Sequence, residues 1–70
     1  MHYVYILQSR KNKSYYIGST KDLKRRVQDH NRGYVDYTSS KIPYDIVWYC
    51  AFRKKQKALS FERYLKSGSG

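Results

Sequence analysis

The sequence predicts an α+β domain: a three-stranded sheet with helices packed on it, in a two-layer or sandwich arrangement, with element order β-β-α-β-α. Three observations carry that prediction. Two runs rich in aromatic and β-branched residues, Tyr3 to Leu7 and Tyr15 to Gly18, flank the polar stretch Gln8 to Ser14, which is the pattern of an antiparallel hairpin. The apolar run Asp45 to Phe52 is the strongest strand signal in the chain. Two further stretches carry apolar residues at helical spacing. Seventy residues hold one domain, and there is no internal repeat or linker.

Each element has a local reason. If Tyr5 pairs near Tyr16 in the hairpin, both phenols lie on one face of the sheet, whereas a slip of one residue separates them. A helix is expected from Lys21 to Arg32, with Thr20 as N-cap, Asp22 favouring the positive helix end and Gly33 as the stop. Tyr34 to Pro43 has no period and reads as a loop. The continuous apolar character of Asp45 to Phe52 predicts a central strand buried on both faces, with Cys50 a buried thiol. Arg53 to Lys66 contains no glycine or proline and reads as a second helix.

Composition narrows the function classes. Fifteen lysines and arginines face five acidic residues, for a formal net charge of +10. The cations recur along the whole chain, so a polyanion partner, nucleic acid first, is the expected ligand class. Nine tyrosines and one tryptophan add stacking capacity suited to single strands, although tyrosine is also a good strand former. A single cysteine excludes an intrachain disulfide and suits a reducing, cytoplasmic setting. The start of the chain is too short in apolar residues for a signal peptide, and no stretch approaches the roughly 20 apolar residues of a membrane span. No zinc spacing, phosphate-cradling glycine loop, nucleophile elbow or paired carboxylate set occurs, which argues against a two-metal nuclease.

Polar residues interrupt the apolar stripe of each helix. Leu23, Arg26, Val27 and His30 share one face, as do Ala58, Phe61, Glu62 and Leu65. Glu62 is the only glutamate, and a carboxylate on an inward face is costly without a partner. Three readings follow: an Arg26–Glu62 ion pair, a helix face partly in water, or a cluster that holds a metal or contacts phosphate.

These residues resemble the GIY-YIG nuclease family, in its small stand-alone single-domain form. Tyr3-Val4-Tyr5 is similar to the first motif triplet, Tyr16-Ile17-Gly18 matches the second, and Arg26 and Glu62 stand at the positions of the family's helix arginine and metal-binding glutamate. Tyr3 replaces the glycine of the first triplet. The resemblance implies a three-stranded antiparallel sheet flanked by helices and divalent-metal-dependent hydrolysis of DNA phosphodiesters. It also implies that residues 1–70 form one nuclease domain lacking the last helix of similar members, and that Ser67 to Gly70 is native sequence.

On that resemblance the expected site is as follows. Tyr5 is the general base on water, and Tyr16 its partner. Arg26 neutralises transition-state charge, His30 assists as hydrogen-bond donor or proton relay, and Glu62 holds one Mg²⁺ or Mn²⁺. A phenol, with an ordinary pKa of about 10, needs nearby cations to serve as a base. Lys21, Lys24, Arg25, Arg53, Lys54 and Lys55 are expected to hold the DNA backbone, the DNA being branched or single-stranded. The small surface leaves room for a homodimer or protein partner. The alternatives are a non-catalytic nucleic-acid-binding module or an inactive shortened nuclease domain.

Overall fold

The computed structural model describes residues 1–67. The reading of Ser67 to Gly70 as native sequence concerns residues 68–70, outside the described residues. The elements are β1 (His2–Ser9), β2 (Tyr15–Thr20), α1 (Leu23–Asn31), α2 (Asp36–Ser39), β3 (Tyr44–Phe52) and α3 (Lys55–Ser67). The fold is the expected α+β arrangement, with α2 a single extra turn inside the segment read as a loop. No described helix is long and apolar enough to cross a membrane.

The sheet is antiparallel with strand order β2-β1-β3. This corrects the expectation for Asp45 to Phe52. The central strand is β1, where Val4, Tyr5 and Leu7 are buried, and β3 is an edge strand with most of its residues exposed. An apolar run shows that a segment favours a sheet but not which neighbours it acquires. The hairpin pairs locally, and β3 then joins the remaining edge of β1. Cys50, on this edge strand, is only half-buried.

Tyr5 pairs with Gly18 and Leu7 with Tyr16. The offset from the expected register is two residues, an even number, so both phenols still share a face. That face carries α1, whose Leu23 and Val27 pack on the Tyr5, Leu7 and Tyr44 core. The opposite face carries α3: Ala58 is fully buried, and Phe61 lies against Trp48 and Phe52. Trp48 pairs with Ile6, one residue out of phase with Tyr5, which places the two helices on opposite faces.

The helix ends differ slightly from expectation. The N-cap of α1 is Asp22, whose carboxylate accepts the Arg25 N–H at 3.1 Å. Thr20 instead accepts the Asp22 N–H at 3.2 Å and so orients the cap. At the other end Gly33 adopts φ of 80°, the left-handed conformation that releases the chain from the helix at little cost to glycine. Asn31 then clamps the start of β3. Its side chain accepts the Tyr44 N–H at 2.6 Å and donates to the Tyr44 carbonyl at 3.1 Å.

Candidate active site

Tyr5 is the pivot of the site. It is 1% exposed, and its ring lies across β2 above Gly18. A Cβ at position 18 would stand 2.5 Å from the Tyr5 hydroxyl oxygen and 2.7 Å from the carbon bearing it, so the second triplet needs glycine to let the first triplet's phenol through. Because β2 is an edge strand, the hydroxyl is carried toward the open side of the sheet. The Tyr16 ring lies 6.4 Å from that of Tyr5, 4.8 Å from His30 and 5.8 Å from Tyr37 of α2.

α1 delivers Arg26 and His30 to these phenols. His30 is fully buried, and its Nε2 is 3.0 Å from the Tyr5 hydroxyl. Its Nδ1 is 2.9 Å from the Thr38 hydroxyl. The Arg26 guanidinium lies near Tyr5 and Tyr16. Burial pushes the Tyr5 phenol up to about 12, with Arg26 opposing the rise and Tyr16 and Glu62 adding to it. Burial and the Arg26 charge push His30 down to about 4. At neutral pH, therefore, Tyr5 is a phenol and His30 a neutral imidazole.

Glu62 approaches the same edge of the sheet from the α3 face. Its Oε1 accepts from the Ser19 hydroxyl at 2.8 Å, and its Oε2 is 2.8 Å from the Lys66 ammonium one helical turn on. Burial raises the carboxyl's pKa, but the Lys66 and Ser19 hydrogen bonds outweigh it and hold the group below its ordinary value. Of the readings left open, the Arg26–Glu62 pair does not form: Lys66 is the partner of Glu62, and Arg26 belongs to the phenols. Glu62 nonetheless lies near enough for its charge to act on Tyr5. The site thus straddles β2, with α1 above the sheet and α3 below.

The cations expected to hold DNA are all exposed. Lys21 and Lys24 border a groove of about 690 Å³ between α1 and β3, which none of Tyr5, Tyr16, Arg26 or Glu62 lines. Lys24 and Arg25 flank a second depression on the outer side of α1 with Asp29 and Arg32. Arg53 and Lys54 form the bend before α3, and Lys55 opens that helix.

Sequence reasoning missed three supporting residues. Thr38 lies in a segment without period and had no signal. Ser19 directly follows the second triplet. Lys66 was readable, since it stands four residues after Glu62 on a helix.

A phenol, an arginine and a carboxylate thus gather at one sheet edge of a strongly basic domain. The chain belongs to the GIY-YIG family, whose catalytic-domain model matches residues 1–70. It is 40% identical over 65 residues to a UPF0213 protein of Streptococcus pneumoniae, covering 91% of this chain and 65% of that protein. A Haloquadratum walsbyi UPF0213 protein is also 40% identical, over 94% of this chain and 74% of the relative. The solution structure of the UPF0213 protein BH0048 of Bacillus halodurans is similar at a TM-score of 0.61 and 38% identity, over 97% of this chain and 72% of that one. The chain thus spans about two thirds of the length of these relatives. The family match supports an endonuclease-type function.

Proposed function

We propose that this domain hydrolyses DNA phosphodiester bonds with the assistance of one divalent cation. The observation that carries this reading is the Tyr5 hydroxyl bonded to His30 at a sheet edge, with Arg26 and Glu62 close by. Tyr5 works as a relay rather than a standing phenolate. Its oxygen takes a proton from the attacking water while its own proton passes to His30 Nε2. The water oxygen bonds to phosphorus, the bond to the leaving oxygen breaks, and that oxygen takes a proton from solvent, while the proton on His30 returns through Tyr5 to solvent and restores the site. Arg26 neutralises the charge that builds on the phosphoryl oxygens, and Tyr16 orients water or phosphate. His30, being fully buried, serves as the acceptor behind Tyr5 without touching substrate.

Among the described residues no group of three or more metal-ligating side chains occurs. The donor set still fits an ion such as Mg²⁺ or Mn²⁺, which binds through one or two carboxylates and keeps several waters. Glu62 would hold it once Lys66 leaves Oε2. When bound, such an ion supplies charge neutralisation at a phosphate oxygen. Lys21, Lys24, Arg25, Arg53, Lys54 and Lys55 would grip the flanking backbone independently of sequence. A cytoplasmic location and a branched or single-stranded DNA substrate belong to the same reading.

The test is nicking of supercoiled plasmid and branched DNA with Mg²⁺, Mn²⁺ or chelator. Cleavage that needs the ion and is lost in both Tyr5→Phe and Glu62→Gln is expected, and full activity in both variants would overturn the assignments. The rival favoured by the net charge of +10 is a binding-only module. It predicts salt-sensitive DNA binding, indifferent to Glu62→Gln and to metal.

A further inference from the structure

The Tyr5–His30 contact is one link of a longer buried chain with one chemically fixed end, the Val35 carbonyl, which can only accept. Thr38 Oγ1 lies 3.3 Å from it as a donor, and the Thr38 backbone N–H donates to the same oxygen at 3.1 Å. From there the chain runs through Thr38 to His30 at 2.9 Å and on to Tyr5 at 3.0 Å. His30 and Thr38 are fully buried, so water does not complete their bonding. An acceptor-only group at the Val35 end favours one direction for the hydrogens along the chain.

We propose that Thr38 is a positioning residue that fixes His30 as the Nδ1–H tautomer, so that Nε2 accepts the Tyr5 proton and the free lone pairs of the phenol face Arg26 and the open edge of the sheet. With its own proton on the Val35 carbonyl, the Thr38 oxygen can only accept from Nδ1–H. In the opposite tautomer Nε2–H would donate to the Tyr5 oxygen. The phenol proton, with no acceptor on Arg26, would then turn to the open edge and donate to an attacking water instead of leaving a lone pair to take its proton. Burying an unmatched donor or acceptor is costly enough to hold one tautomer well over the other. α2 exists, on this account, to bring Thr38 beneath the imidazole.

The inference rests on the proposed role of Tyr5 for its catalytic meaning, but its structural content is tested separately. The experiment is ¹⁵N NMR of the His30 ring at neutral pH in the wild-type chain, Thr38→Val and Thr38→Ser, with plasmid nicking measured on the same samples. The expected wild-type result is a pyrrole-type Nδ1 and a pyridine-type Nε2. Thr38→Ser should retain that pattern and nicking within about threefold. Thr38→Val should shift the ring toward the Nε2–H form and lower kcat at least tenfold with KM little changed. A wild-type ring protonated on Nε2 overturns the proposal without needing any variant. So does a folded Thr38→Val protein with an unchanged tautomer. If no sample cuts DNA but the tautomer behaves as described, the reading of the domain as a nuclease fails while the positioning role of Thr38 stands.

Discussion

Tyr5 and Glu62 reach the same edge of the sheet from opposite faces, and their surroundings differ in kind. Tyr5 belongs to a chain of buried side chains that runs through His30 to Thr38. Glu62 is held by Ser19 and by Lys66, whose side chain is 52% exposed and can leave at little cost. On the proposed function, proton handling needs fixed geometry, whereas cation capture needs a partner that can be exchanged. Substitutions on the two sides should therefore differ in what they cost.

The largest contrast is expected between Tyr5→Phe and Glu62→Gln. Both should reduce nicking by at least about 10²-fold, the usual range for loss of acid–base or electrostatic assistance. Only Tyr5→Phe should also destabilise the fold, by about 1–3 kcal/mol in urea unfolding, because it strands His30 Nε2. Equal destabilisation by the two variants would break the comparison.

Gly18→Ala should come next. The added methyl meets the Tyr5 ring, and crowding of this kind costs about 1–3 kcal/mol. It should also displace the phenol from His30, visible as a changed His30 ring signal by NMR.

The pH dependence of stability separates the two sides further. His30 titrates at about 4 in the folded chain against its ordinary 6.5. Between those values the unfolded chain binds more protons, so the His30 contribution is complete above about pH 6.5 and is lost as pH falls toward 4. Glu62, held below its ordinary 4.5, contributes stability that is lost only at lower pH still. Urea unfolding from pH 7 to 4.5 should therefore show a decline that Glu62→Gln leaves in place and His30→Gln removes.

The smallest effect is expected for Lys66→Met. An exposed pair of this type is worth about 0.2–1 kcal/mol, so freeing Oε2 should tighten Mn²⁺ binding by no more than about fivefold in calorimetry. Weaker binding would mean that Lys66 supports the cation site instead of competing for it.

Much of the site was legible before folding because its signals are local. The period of two in a strand puts Tyr5 and Tyr16 on one face even when the register is wrong by two residues. The period of the helices picks out Arg26, His30 and Glu62 as polar residues on inward faces. Thr38 was not legible, because its role depends on a turn docking under a histidine eight residues earlier, and neither propensity nor spacing encodes that contact. The partner of Glu62 was misjudged for a related reason. Arg26 and Glu62 each lacked a visible partner on their stripes, but the sheet stands between them, and each found a nearer one.

The chain by itself determined its elements, the faces its side chains would take, its basic character and the set of residues able to do chemistry, because these follow from backbone periodicity and local composition. The tertiary structure alone decided that β1 and not β3 lies at the centre, that the phenol of the first triplet passes over the glycine of the second, and that Tyr5, His30 and Thr38 join in one buried hydrogen-bonded chain. Those outcomes depend on pairings between distant segments, where burial and hydrogen-bond direction, not sequence pattern, select the arrangement.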